Sequence, residues 1–168
     1  ENKFYTIENE VLKLKISSRG GRIWSAELKN YKTHDTLPLV LFQGDSNRFD
    51  LEFNTEDLKS INTGDLYFTP SVSNESKGDS LAIAGRDSLQ FALRLNTSVA
   101  NGDAGQGYIE YIYTLRKNDY MIGYQVRFVG MGNIVARNTR DIAIAWKTDM
   151  LRQEKSFKTE LSQATIYY

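Results

Sequence analysis

The sequence VLKLKISSRGGRIWSAELKNY, residues 11–31, decides the fold class of this chain. Apolar residues occupy every second position on both sides of a Gly-Gly pair: Leu12, Leu14 and Ile16, then Trp24, Ala26 and Leu28. A period of two is typical of antiparallel strands that bury one face. The stretch therefore predicts a β-hairpin with Trp24 and Leu28 in the core. Gly20 and Gly21 are predicted to supply the positive φ angles of the turn.

The same alternation continues along most of the chain. Further predicted strands begin near Phe4, Leu39, Phe49, Leu89, Ile109, Tyr120 and Ile142. Polar or glycine-rich stretches at 71–80 and 101–107 are predicted to be loops. No repeat or linker divides the sequence, so it predicts one all-β domain over residues 1–168, an antiparallel β-sandwich.

Composition narrows the classes of function. A chain of 168 residues with 40% hydrophobic residues is long and apolar enough to bury a core. Lys plus Arg and Asp plus Glu number 21 each, and this balance argues against nucleic acid as a partner. Cysteine is absent, which excludes disulfides and thiolate metal sites. No apolar run reaches the roughly 20 residues of a membrane helix. The start at Glu1, without Met or signal peptide, predicts a part of a longer protein.

Candidate catalytic residues are few and isolated. His34 is the one histidine and lies in a polar stretch, so it is interpreted as a surface residue. Glu110 falls on the polar face of a predicted strand, which is the ordinary place for a solvated charge. The glycines at 102–107 lack the phosphate-binding spacings and precede a strand. The sequence therefore predicts no catalytic residue, no metal ligand and no cofactor.

Two stretches remain as candidate binding surfaces. The chain has ten tyrosines, several of them on one hairpin, and these either pack in the core or form an aromatic groove for sugar or peptide. The tail at 149–161 is charged and forms either a short helix or an extended loop. Its charged side chains are a candidate partner surface, with a solvated edge helix as the alternative: Arg152, Glu154, Lys155, Lys158 and Glu160.

The opening segments resemble one known family. The large periplasmic domain of Gram-negative YidC membrane insertases begins with a recurring sequence pattern. Its parts are v-x-n-x-x-l-x-l-x-i, then G-G-x-i, then L-x-x-Y. Similar residues occur here at 7–16, 18–23 and 26–31, in that order. The apolar run at 37–42 is similar to the one that follows in the family. Residues 144–146, 153–155 and 164–168 resemble its later segments, so the resemblance brackets nearly the whole chain.

This resemblance implies both a fold and a function. The fold is a β-supersandwich, galactose-mutarotase-like and similar to that of aldose epimerases. The implied location is the periplasmic face of the bacterial inner membrane, with anchoring through segments outside this chain. The implied role is noncatalytic: an accessory domain of an insertase that helps membrane proteins insert and fold, alone or with the Sec translocon. Its implied partners are Sec components and nascent membrane proteins.

Two other functions stay open on the residues alone. The same type of sandwich hosts carbohydrate-active proteins, so the alternative is a carbohydrate-binding or carbohydrate-active protein. A single loop histidine does not favour epimerase chemistry, which uses a general acid with a general base. A structural surface module with an unidentified partner is the third reading.

The resemblance departs from the family pattern at one end. The family's domain usually continues beyond a strand similar to residues 164–168, whereas this chain stops at Tyr168. Either the sandwich is incomplete at its C-terminal side or the resemblance fails there. Missing strands would leave an exposed sheet edge, which is a template for self-pairing. The expectation is edge-paired or strand-exchanged oligomers of this chain.

Overall fold

Short antiparallel strands make up most of the computed structural model, which describes residues 1–71, 79–97, 107–156, 158 and 162. One 3-10 turn, η1, spans Thr63–Asp65. The strands are β1 Phe4–Glu8, β2 Leu12–Ser17, β3 Ile23–Lys32, β4 Pro38–Gln43, β5 Arg48–Asn54, β6 Ser60–Asn62, β7 Thr69–Pro70, β8 Ser80–Ala82, β9 Ser88–Asn96, β10 Tyr108–Arg116, β11 Ile122–Val129 and β12 Ala143–Lys147. Most of each predicted loop, at 71–80 and at 101–107, lies outside the described residues.

The strands form three sheets. Their orders are β4-β3-β2-β1-β8, β11-β10-β9-β7 and β12-β5-β6. Every pair of neighbours is antiparallel except β1 with β8. One hydrophobic cluster joins the inner faces of all three sheets, for example through Leu14, Leu51 and Tyr111. The predicted all-β antiparallel sandwich is confirmed. In the part of the chain that the structure describes, no helix is long and apolar enough to span a membrane.

The opening hairpin forms as the alternation predicts. Leu12, Leu14 and Ile16 on β2 are buried, and Leu28 on β3 packs against the core. Residues 18–22 connect the strands, and Gly20 and Gly21 have φ angles of 75° and 59°. This loop is itself bonded to a later segment, because the amide of Phe68 donates to the carbonyl of Ser18 at 2.8 Å.

Trp24 is the exception in this hairpin. The β2–β3 register shifts between Lys15 and Ile16, so that Ile16 pairs with Ile23 and the alternation on β3 slips by one residue. Ile23 therefore faces the core, while Trp24 contacts the Phe4 ring at 5.3 Å and the Lys15 ammonium at 4.8 Å on the outer face. The prediction of Trp24 in the core is wrong, because a β-bulge exchanges the faces of its neighbours.

Glu110 is buried rather than solvated. It lies on the outer face of β10 and is only 2% exposed. Arg94 on β9 and Arg127 on β11 are directly opposite and bind its carboxylate oxygens at 2.7 and 3.2 Å. The Arg94 guanidinium also stacks over the Tyr108 ring at 4.2 Å. The prediction of an exposed charge is wrong, because long cross-strand neighbours cover this position.

Candidate functional site

An open apolar cleft of about 390 Å³ lies where the edge strands of the three sheets meet. We call it the aromatic cleft; β4, β11 and β12 contribute Phe42, Tyr124 and Trp146. Its full lining is Ile23, Phe42, Asn47, Arg48, Phe49, Tyr113, Ile122, Tyr124, Trp146, Lys147 and Thr148. The volume falls in the range of roughly 300–1,000 Å³ that is typical of ligand sites.

Aromatic rings form the floor of the cleft. The Phe49 ring packs edge-on against the rings of Tyr124 and Trp146, with centroid distances of 5.1 and 6.2 Å. The ring centroids of Tyr113 and Tyr124 are 5.0 Å apart, and the Tyr113 hydroxyl donates to the carbonyl of Gly21 at 2.5 Å. Burial raises the pKa of both tyrosine phenols, so these rings stay neutral at physiological pH. The floor is therefore an uncharged, aromatic surface.

The cleft is open because two core-facing rows lack a cover. Ile144 and Trp146 pair with Leu51 and Phe49, so they share the core face of that sheet, yet they are 61% and 77% exposed. On β11 the inward side chains are only half-buried, whereas Tyr113 on the neighbouring β10 is 2% exposed. The apolar faces of β11 and β12 thus remain accessible at the mouth of the cleft.

A second apolar hollow of about 320 Å³ adjoins the cleft at Ile122, the first residue of β11, and continues along β3 and β4. It shares Phe42 and Ile122 with the aromatic cleft, and we call it the side groove. Tyr31 and Tyr120 flank its far end with ring centroids 6.0 Å apart. Cleft and side groove together form an elongated apolar trough rather than a round cavity.

Polar residues build one rim of the aromatic cleft. Asn47 is buried; its amide group donates to the Gly44 carbonyl at 3.1 Å and its side-chain oxygen accepts from the Asp149 amide at 2.9 Å. Arg48 binds the buried carboxylate of Asp50 at 2.5 Å. The β4–β5 loop and the end of β12 are thereby held together at this rim.

A polar pocket of about 210 Å³ adjoins this rim and shares Arg48 with it. Its lining is Arg19, Arg22, Asp45, Arg48, Asp50, Gly64 and Asp65. Arg22 is buried and its guanidinium reaches Asp45 at 3.1 Å, while its Nε has no hydrogen-bond partner among the described residues. The hydrogen bond from Arg19 lowers the pKa of the Asp65 carboxyl below its ordinary value. Guanidinium and carboxylate groups are thus equally represented in the pocket.

Comparison with known proteins identifies the family. The YidC periplasmic domain family matches residues 5–168. The membrane protein insertase YidC of Parabacteroides distasonis is 35% identical over 166 residues, which are 98% of this chain and 23% of the relative. The chain belongs to the YidC periplasmic domain family. YidC of Azobacteroides pseudotrichonymphae is 31% identical over 98% of this chain, and YidC of Porphyromonas gingivalis 32% over 96%.

Membership of the YidC family confirms the predicted resemblance and location. The domain lies on the periplasmic face of the bacterial inner membrane, as its family description and its insertase relatives indicate. The chain spans about a quarter of the length of these YidC relatives, 23% and 24% for the first two.

The described residues of the charged tail proposed as a partner surface do not line the aromatic cleft. Arg152, Glu154, Lys155 and Lys158 are exposed, and Glu160 lies outside the described residues. Residues 149–156 are irregular, and the Leu151 amide donates to the Leu41 carbonyl at 2.9 Å. The tail residues 151–153 therefore run along the edge of β4, beside the site rather than in it.

The sequence pointed to the cleft only indirectly. The aromatic-groove interpretation named the tyrosines but gave no reason to join them to Phe49 and Trp146 on other sheets. Among the residues that the structure describes, the cleft lining contains neither histidine nor carboxylate. Within the described ranges, no three His, Cys, Asp or Glu side chains are grouped to hold a metal ion. What the arrangement offers is apolar contact area with a polar rim.

Proposed function

We propose that this chain is a noncatalytic interaction domain of a YidC insertase, folded as one unit over residues 1–168. Anchored to the inner membrane through segments outside this chain, it assists the insertion and folding of membrane proteins, alone or with Sec translocon components. The aromatic cleft receives apolar segments of these proteins on the periplasmic side. The observation that supports the proposal is the uncovered apolar face between β11 and β12.

Water penalises an exposed apolar segment by about 25 cal/mol for each Å² of apolar surface. Membrane proteins expose such segments before they are inserted. A lining of Phe42, Phe49 and Trp146 can remove part of this surface from water without covalent chemistry. An exposed apolar patch of this kind is typical of an interaction site.

Peptide binding by the purified chain tests this function. A fluorescein-labelled peptide of alternating leucine and threonine is titrated with the chain, and its anisotropy is recorded. We expect saturable binding that Trp146→Ser weakens at least about fivefold, since the ring contributes contact area. Leu58→Ser is the control, because Leu58 is also a highly exposed apolar residue, 88% against 77% for Trp146, but does not line the cleft. Equal affinities of the two variants would exclude the cleft as the site.

Carbohydrate binding is a second candidate, which the polar pocket favours. Its arginines and aspartates are suited to hydroxyl groups, and an aromatic surface lies next to them across Arg48. Calorimetry with neutral hexoses and their oligomers tests this candidate. Heat of binding that Asp45→Asn abolishes would support it, and silent titrations would leave the apolar segment as the ligand.

Edge-paired oligomers remain part of the proposal. β11 and β12 each pair with one neighbour only among the described strands, and β12 carries exposed Ile144 and Trp146. Unpaired edges of this kind associate with strands of other copies. Light scattering at increasing protein concentration is expected to show association, and a monomer throughout the range would contradict it.

A further inference from the structure

The pairing of β9, β10 and β11 determines which residues of β11 point their backbone N–H and C=O groups to the outer edge of the sheet. In an antiparallel ladder, directly opposite residues exchange both backbone bonds at every second position. The Thr97 amide donates to Gly107 and the Lys117 amide to Asp87, each over 3.0 Å and each between opposite residues of the β9–β10 register. The odd-numbered residues of β10 therefore bond to β9, and its even-numbered residues bond to β11.

The unbroken β10–β11 register carries this pattern to the outer edge. Thr114, Ile112 and Glu110 pair with Gly123, Gln125 and Arg127, whose amides consequently point towards β10. The outward backbone groups of β11 belong to its even-numbered residues: Ile122, Tyr124, Val126 and Phe128. The side chains of these four residues pack against the core. Backbone groups that have no partner strand among the described residues and inward apolar side chains thus come from the same residues.

Of the three edges at the aromatic cleft, β11 is the most suitable for a further strand. The edge of β4 is already bonded by the tail, through the Leu151 amide and the side chain of Gln153, which reaches the Val40 carbonyl at 2.7 Å. β12 is shorter and ends in Lys147, a residue type that disfavours edge pairing. β11 has eight residues, and Ile122 lines both the cleft and the side groove.

We propose that the segment received by the cleft binds in extended form, as an added strand along the free edge of β11. This inference rests on the proposed function and specifies its binding mode. Every second side chain of the segment points to the core side of the sheet, and those opposite Ile122 and Tyr124 enter the aromatic cleft and cover Phe49 and Trp146. The intervening side chains point to solvent. The ligand class is therefore an extended chain with apolar residues at alternate positions, recognised by its backbone as well as by its side chains.

N-methylation of the peptide backbone tests the binding mode. Single N-methyl groups are placed in turn on the leucine and threonine amides of the alternating peptide, whose affinity for the chain is measured by anisotropy. In antiparallel addition, residues opposite Tyr124 and Val126 share their face and bond to them, so the leucine amides point to β11. We expect about three- to tenfold weaker binding after methylation of a leucine amide and unchanged binding after methylation of a threonine amide.

A parallel added strand exchanges the two series, so either alternation supports strand addition and also gives the direction. Equal effects in both series would overturn it, while saturable binding sensitive to Trp146→Ser would still support the proposed function. No binding of any peptide would overturn both.

Variants of Val126 test the same edge from the protein side. Val126→Pro removes an outward amide and leaves the β10 ladder intact, because proline is tolerated at sheet edges. Val126→Ala shortens the side chain and keeps the amide. We expect Val126→Pro to weaken peptide binding about three- to tenfold relative to Val126→Ala. Equal affinities would contradict a backbone bond at this position.

Discussion

Gly21 lies where the backbone leaves no room for a β-carbon. Its φ angle is 59°, and a β-carbon would lie 2.8 Å from Cδ2 of the buried Tyr111. We expect Gly21→Ala to lower the free energy of unfolding by about 2–4 kcal/mol, since strain and overpacking add. Gly44→Ala is the control, because Gly44 has a φ angle of 108° but an added β-carbon there would meet no described atom within 4 Å. Urea unfolding of the two variants separates the two causes, and similar losses would contradict the close approach.

Glu110 owes its ion pairs to the two neighbouring strands. Glu110→Gln removes the charge that Arg94 and Arg127 share. We expect a loss of about 2 kcal/mol rather than more, because these arginines are 26% and 49% exposed and can turn to water. The control Glu154→Gln changes an exposed side chain in the irregular tail. Urea unfolding measures both, and equal stabilities would mean that the ion pairs contribute nothing.

At the scale of elements, β11 allows a direct test of its ladder. Gln125 points its amide to β10, whereas Val126 points its amide outward. Gln125→Pro is therefore expected to cost about 1–3 kcal/mol more of the free energy of unfolding than Val126→Pro. Thermal and urea unfolding provide the comparison. The reverse order would show that the alternation assigned to this strand is shifted by one residue.

The sequence predicted the positions of strands better than it predicted which side chains are buried and which are exposed. The alternation of Leu12, Leu14 and Ile16 locates β2 because burial is decided within one strand. The position of Trp24 is decided by a bulge between two strands, and the burial of Glu110 by long side chains on both neighbours. The aromatic cleft needs Phe42, Tyr124 and Trp146 from three sheets, a juxtaposition that periodicity within single strands does not contain.

For the whole molecule, the buried tyrosines predict the limit of alkaline stability. Burial raises the pKa of Tyr111 from its ordinary 10.0 to about 12, and it raises those of Tyr113 and Tyr124 as well. The unfolded chain then loses these protons at lower pH than the folded chain. Stability from these groups is complete below pH 10 and falls as the pH rises from 10 towards about 12.

Absorbance at 295 nm and circular dichroism during an alkaline titration measure this effect. The phenols of Tyr111, Tyr113 and Tyr124 are expected to ionise last, and only together with loss of the β-sheet signal. Tyr67→Phe is the control, because Tyr67 is half exposed and is not one of the buried phenols. Ionisation of all ten tyrosines in one step while the sheet signal persists would contradict the burial of the cleft floor.

The parallel pairing of β1 with β8 has a consequence for the time course of folding. Thr6 pairs with Ser80, a separation of 74 residues along the chain, whereas β1, β2, β3 and β4 join through short connections. Because a protein is synthesised from its N-terminus, the first four strands can pair early. One edge of β1 stays unpaired until β8 has been synthesised. Closing so long a loop is slow. Arrival of β8 is therefore a natural late step in folding, during which β1 is open to chaperones or to a wrong strand.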